Sequence, residues 1–257
     1  MDKERYVKLY EELLFPKNVF KYKSANAKNL KALLNNQLYV PRADCVNDVS
    51  EIALFVKEDN AKLFNKFIKL FQKGCYILSF GVENDNVVMW NTYSNSFGGY
   101  VIDYSIESLK EKIVVQHSAA GCRYGFVHYS DKKIPISPEV IQQYGKIHKS
   151  DVVIKFDSYK PMFTKSSSWS YKKEFRFVFG ASDQDIDFIN PNNSKIYKKG
   201  FMIEQIKPNK VILGYKMEDY YKRRIINYCN NNDIPIEIAR PNLYSEKYEV
   251  VFEKNNT

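Results

Sequence analysis

Glu174 and Arg176 are the two residues whose types and spacing most suggest chemistry. They lie in Trp169-Ser170-Tyr171-Lys172-Lys173-Glu174-Phe175-Arg176-Phe177-Val178-Phe179. Phe175, Phe177 and Phe179 alternate with Glu174, Arg176 and Val178, the period of two that a half-buried strand requires. The aromatic set takes one face, so the carboxylate and the guanidinium project together from the other. A carboxylate there can stabilise a developing positive charge, and a guanidinium can hold an anion in its planar fork. The bland alternative is a solvated surface pair worth at most ~1 kcal/mol. Trp90 and Trp169 divide the same way, between packing anchors and platforms for a flat ligand. Asn47-Asp48 is either a turn that caps a helix or a polar contribution to a cleft.

No metal centre is expected. The cysteines at 45, 75, 122 and 229 and the histidines at 117, 128 and 148 have neither ligand nor redox spacing. Reduced thiols and structural histidines are the simpler reading.

The elements that must position these residues follow from periodicity. Helices are expected over 2–14, which Pro16 ends, and after Ser24 or Asn26, with Leu30, Leu33 and Leu34 on its apolar face. A longer helix is read over 50–72. Short strands are expected at 19–24, with Phe20 and Tyr22 on one face, and at 38–40, 75–80 and 100–104. Residues 89–94 read as a short helix or loop, and 114–129 as strand-like. Residues 136–160 read as a helix and then a strand near 152–156, and 182–195 as a loop. A strand at 211–214, a helix at 217–231 and strands at 236–239 and 248–252 close the chain. Helices cluster early, strands dominate the middle, and a strand-helix-strand unit ends the sequence. That order predicts one compact α+β domain over 1–257 with a central mixed or antiparallel sheet. No strand leads into a Gly-rich phosphate loop, which argues against a P-loop or a dinucleotide-binding crossover.

Composition sets the outer bounds. The 257 residues are 44% hydrophobic and 15% aromatic, enough for a substantial core. The net charge of +9 permits attraction to nucleic acid or to an anionic ligand, but it is spread out: residues 1–150 carry 21 basic and 16 acidic groups, residues 151–257 carry 18 and 14. No apolar run approaches the length of a membrane span, and Met1-Asp2-Lys3-Glu4-Arg5 has no signal character, so a cytoplasmic protein is expected.

Lys21-Tyr22-Lys23-Ser24, Asn47-Asp48, Met89-Trp90 with Tyr93, Gly99 to Tyr104, Lys165 with Trp169, and Lys173-Glu174-Phe175-Arg176 occur in that order. Gly214 to Met217 and Tyr248 to Phe252 follow them. The set resembles a bacterial domain-of-unknown-function family with the ordered motifs KYRS, NDP, MWxxY…GxxIxF and K…WxxEKEYR. Three positions depart from that pattern: Lys23 replaces an arginine, Val49 a proline and Thr92 a histidine. The layout is also similar to ADP-ribosyltransferase-like toxins and phage-defence proteins, through the helix of Asn29-Leu30-Lys31-Ala32-Leu33-Leu34-Asn35-Asn36-Gln37-Leu38-Tyr39 and a late strand bearing a glutamate. The resemblance implies an NAD-consuming enzyme with Glu174 and Tyr93 as catalytic residues. Lys21, Tyr22, Lys23, Trp90 and Arg176 would then bind NAD, the lysine or arginine holding the pyrophosphate and the aromatics stacking on nicotinamide or adenine. It also implies an acceptor macromolecule, nucleic acid or protein, and a cognate antitoxin. The alternative is a non-enzymatic RNA-binding or protein-binding component of a defence or toxin-antitoxin system.

Overall fold

The computed structural model describes residues 15–46, 48, 51–57, 60–117, 122–144, 159–180 and 199–254. The helix expected over 2–14, the strand near 152–156, the loop 182–195, and Asn47, Val49 and His148 lie outside them.

One mixed sheet of eight strands organises the chain. Its order is β14-β13-β12-β5-β1-β4-β10-β6. The strands are β1 (Asn18–Lys23), β4 (Cys75–Gly81), β5 (Tyr100–Ser105), β6 (Cys122–Phe126), β10 (Glu174–Gly180), β12 (Lys210–Gly214), β13 (Ile236–Pro241) and β14 (Val250–Lys254). Among the described strands of this sheet only β12 and β13 run parallel, and the helix between them, α6 (Asp219–Asn231), makes the strand-helix-strand unit the sequence predicts. Pairs of short strands flank the sheet: β2 (Leu38–Pro41) with β11 (Gly200–Ile203), β3 (Leu54–Phe55) with β8 (Ile134–Pro135), and β7 (His128–Tyr129) with β9 (Thr164–Lys165). The fold is α+β.

Alternation along the strands decides what each face holds. Phe175, Phe177 and Phe179 join Leu78, Phe80, Tyr100, Ile102, Val211 and Leu213 in the main core. Three of the described helices cover that face: α1 (Ala27–Leu34) through Leu30 and Leu33, α4 (Ile106–His117) through Leu109 and Ile113, and α6 through Ile225 and Cys229. Each fully buried Phe contributes about 1.5–3 kcal/mol. Asn26 caps α1 by accepting from Asn29 N at 2.9 Å.

The opposite face has two separate cores. Cys75, Ile77 and Val178 pack under α2 (Ala61–Lys73), through Phe67 and Phe71, and under α5 (Pro138–Tyr144), through Ile141. Tyr22, Val101, Ile212 and Ala239 pack under Met89 and Trp90 of α3 (Val87–Tyr93) and under Phe97. Glu174 and Arg176 lie on the strip of sheet between them.

Two expectations are corrected. No helix runs through residues 51–57: Ile52, Ala53 and Leu54 are consecutively buried, which a one-sided helix does not permit, and Leu54 pairs with Ile134. The helix begins only in the segment that gives α2. The strand-like reading from 114 fails at its start, because α4 continues to His117; β6 begins at Cys122.

Close backbone approach fixes the seat of α3. Asn95, Ser96 and Phe97 all have left-handed backbone (φ 52°, 50° and 66°), which turns Phe97 back to stack on Trp90 at 5.0 Å. A Cβ on Gly99 would stand 2.1 Å from Lys23 O, and one on Gly214 would stand 2.1 Å from Phe97 O. Only glycine fits at either position.

Candidate functional site

Six charged side chains converge on the strip between the two smaller cores. Glu174 Oε2 accepts from Arg176 Nε at 2.9 Å and from Nη2 at 2.7 Å, while Oε1 accepts from Lys165 Nζ at 3.1 Å. Lys165 also donates to Glu51 Oε2 at 3.2 Å and pairs with Asp48 Oδ2 at 3.5 Å. Arg176 donates Nη1 to Met162 O at 2.7 Å. Its Nη2 meets Glu51 Oε1 as an ion pair without the alignment of a hydrogen bond. Lys172 is the outermost and most loosely held member, with Nζ 3.8 Å from Glu174 Oε1. Three carboxylates thus face three cations. Arg176 is wholly buried, and Glu51, Lys165 and Glu174 are nearly so.

Each member is set in place by a local feature. Arg176 and Glu174 are adjacent same-face positions of β10, opposite Ser79 and Gly81 of β4. Gly81 presents no side chain above the Glu174 carboxylate. Lys165 comes from β9, which pairs with β7. Tyr129 of β7 accepts the Glu174 amide proton on its hydroxyl at 2.9 Å, which anchors the start of β10. Lys172 ends the 3₁₀ turn Ser167–Lys172, and Lys173 has left-handed backbone (φ 41°), which reverses the chain into β10 and leaves Lys172 above Glu174.

An aromatic rim surrounds Lys172. Its ammonium lies 4.0 Å from the Trp169 ring centroid and 4.8 Å from that of Tyr93. Tyr171 is tilted against Trp169 at 6.1 Å. Asn86 ties the two halves of the rim together. Its side chain accepts from Met89 N at 3.0 Å to cap α3, which carries Tyr93, and donates to Tyr171 O at 2.6 Å. Tyr93, Trp169 and Tyr171 are half-buried and the Lys172 side chain beneath them is 10% exposed, so the network reaches solvent here.

The electrostatics follow from burial and pairing. Burial pushes the Glu174 carboxyl up, but Arg176, Lys165 and Lys172 together outweigh it and bring it down to about 2. It is a permanent anion near neutral pH and a poor general base. Burial and repulsion from Lys165 lower the Lys172 ammonium to about 8, against the pull of Glu174, Glu51 and Asp48. Burial raises the Tyr93 hydroxyl, so it stays protonated.

The sheet is open beside this network. β1 pairs with β5 along its whole length but with β4 only at Phe20↔Gly81. Lys21 enters the gap beyond, donating its ammonium to Ser79 O and lying 5.3 Å from the Phe80 ring centroid. Burial and the neighbouring Lys23 lower its ammonium to about 7, while Glu174 partly supports the charge.

The candidates named from sequence therefore divide. Glu174, Arg176 and Tyr93 come together; Lys21 starts from the main-core face, opposite Ile102 and over Phe80, and only its charge is felt by Glu174 across the sheet. Lys23 does not join them: register with β5 puts it on the opposite face from Phe20 and Gly81, and burial with repulsion from Lys28 lowers it to about 8. Trp90 has no face open to a ligand. It is 0% exposed, stacked on Phe97, with Nε1 donating to Asn84 O at 2.7 Å. Tyr22 packs edge-on against Trp90 and donates its hydroxyl to Glu83 O at 2.9 Å. Sequence reasoning missed Glu51, Tyr129 and Lys172. Glu51 carried no signal inside a segment read as helix, and Lys172 looked like one of many surface lysines. Among the described residues no group of three His, Cys, Asp or Glu could hold a metal ion. No described helix is long and apolar enough to cross a membrane.

What fold and site define together is an α+β protein with an aromatic-rimmed, internally neutralised ion network. Residues 89–177 match the model of a family described as a protein of unknown function, DUF2971. That stretch runs from α3 into β10 and includes Tyr93, Lys165, Trp169, Lys172, Glu174 and Arg176. Glu51, Asp48 and Lys21 lie outside it. Neither the curated proteins nor the solved structures yield a match.

Proposed function

We propose that this chain cleaves NAD, as an ADP-ribosyltransferase or an NAD glycohydrolase, with Glu174 as the carboxylate beneath the reacting ribose. The observation that carries the reading is an always-ionised glutamate directly below a half-open rim of aromatic rings and a loosely held cation. Breaking the nicotinamide–ribose bond builds positive charge on the ribose, and a fixed anion stabilises that charge without having to accept a proton. Glu174 is held by Arg176 on one oxygen and by Lys165 on the other, so its position is preorganised. Tyr93 offers a ring for stacking and a hydroxyl that remains a donor. Lys172 supplies positive charge for the diphosphate at the mouth of the rim. Arg176, wholly buried, acts by holding Glu174.

The wider expectations rest on the resemblance in layout: a cytoplasmic toxin or phage-defence effector, an acceptor that is nucleic acid or protein, and a neutralising antitoxin. The test is nicotinamide release together with a thermal shift. NAD is expected to raise the melting temperature, since it binds only the folded chain, and nicotinamide is expected to accumulate. Tyr93→Phe should weaken turnover and Glu174→Gln should abolish it. No shift and no nicotinamide at millimolar NAD would end this reading.

A further inference from the structure

Lys172 stands where a ligand would. Its ammonium is between the rings of Trp169 and Tyr93, at 4.0 Å and 4.8 Å, and 3.8 Å from the Glu174 carboxylate. Two aromatic faces over a carboxylate is the arrangement that recognises organic cations. The charge count points the same way. Asp48, Glu51 and Glu174 are balanced by Lys165, Arg176 and Lys172. Lys165 and Arg176 are held at hydrogen-bond distance within the network, whereas Lys172 makes no hydrogen bond to Glu174 and lies at its open edge. Withdrawing Lys172 leaves Lys165 and Arg176 against three carboxylates, and so one unit of net negative charge in the network beneath two half-buried rings.

We propose that Trp169, Tyr93 and Glu174 form a cage for the cationic group of a ligand, flat or quaternary, and that Lys172 is the cage's built-in occupant, displaced when the ligand enters. Lys172 is suited to leave. It ends a short turn, carries four rotatable bonds, and is repelled by Lys165. Swung outward, it meets the anionic remainder of the same ligand. The inference deepens the NAD reading and rests on it for one thing only, the natural occupant, which would be the pyridinium ring of oxidised nicotinamide. The cage stands on the geometry alone.

The test uses the whole chain and two small probes: N1-methylnicotinamide, a flat cation, and nicotinamide, its neutral counterpart. Binding is read by quenching of Trp169 fluorescence, Trp90 being buried against Phe97, and by thermal shift. Lys172→Met is expected to bind N1-methylnicotinamide about tenfold more tightly than the unaltered protein and to show no gain for nicotinamide. Trp169→Ala added to Lys172→Met should remove the gain, as read by thermal shift. Equal gains for both probes, or none for the cation, would overturn the proposal. If Lys172→Met folds poorly, N1-methylnicotinamide in the buffer should restore folding, and failure to do so is equally fatal. Cation binding without NAD cleavage in the unaltered protein would leave the cage standing and remove the reading of the previous subsection.

Discussion

Glu174 holds both ends of its own support, so its removal has two consequences. Glu174→Gln keeps the shape of the side chain but leaves Arg176 and Lys165 with one fewer anion in a dry setting. Breaking a buried pair from one side costs about 3–5 kcal/mol. Urea unfolding should therefore show a loss of about 3 kcal/mol, and activity of this variant has to be compared at equal folded fraction. Arg176→Met should cost as much or more, since it strands Glu174 and Glu51 together and also leaves Met162 O without its guanidinium. The pairing of Glu174 with Arg176 is the part of the site legible in the sequence, because a spacing of two on a strand fixes the shared face. What the spacing does not convey is burial. The carboxylates that make burial tolerable, Glu51 and Asp48, arrive from a distant, irregular segment with no periodicity to announce it. The pH dependence divides by sign. Glu174 titrates near 2 when folded against 4.5 when free, so its stabilisation is present above about pH 4.5 and is lost as pH falls through about 2. Lys21 near 7, and Lys23 and Lys172 near 8, lie below the free value of 10.5. The unfolded chain binds more protons than the folded one in that interval, so stability rises with pH. The thiols of Cys75, Cys122 and Cys229, raised to about 12 by burial, oppose this above pH 9. The melting temperature is expected to climb from pH 7 to pH 9, and Lys21→Met should flatten the climb.

At the scale of elements, glycine contacts decide whether α3 and β12 can meet. Gly99→Ala and Gly214→Ala each place a methyl group 2.1 Å from a backbone oxygen, which no rotamer change relieves. Each is expected to cost about 3 kcal/mol or more by denaturant unfolding. Gly98→Ala is the control: its nearest atom is Asn95 O at 3.0 Å, so a smaller loss is expected. The glycines in the Gly99 to Tyr104 and Gly214 to Met217 blocks thus have a packing reason. Strands with clean alternation, such as β1 and β10, were readable because their two faces carry different side chains, Phe20 and Tyr22 on one face of β1 and Phe175, Phe177 and Phe179 on one face of β10, although both faces of β10 are buried. Helix α6 was readable because Tyr221, Ile225 and Cys229 recur at helical spacing. Residues 51–54 were not, since an extended segment buried on all sides and a buried helix turn share the same apolar composition. The start of α4 was hidden for a related reason: β5 runs into it at Ser105–Ile106 without a breaking residue.

At the scale of the molecule, the question is where the net charge of +9 resides. The six charges of the network cancel, three against three, so the excess belongs to the rest of the chain, and the counts for residues 1–150 and 151–257 show no concentration in either part. A diffuse excess attracts a polyanion through counterion release and through little else, so such binding falls steeply with salt. A ligand seated in the recess is held by desolvated groups, which salt screens far less. The two readings of function therefore separate on one axis. Anisotropy of a labelled single-stranded RNA should show weak binding at about 50 mM salt that is lost by about 200 mM. The thermal shift from NAD should persist across that range. RNA binding that survives the higher salt, with no response to NAD, would move the functional surface out of the recess and favour the non-enzymatic RNA-binding alternative, with the ion network reduced to a structural clasp between the two smaller cores.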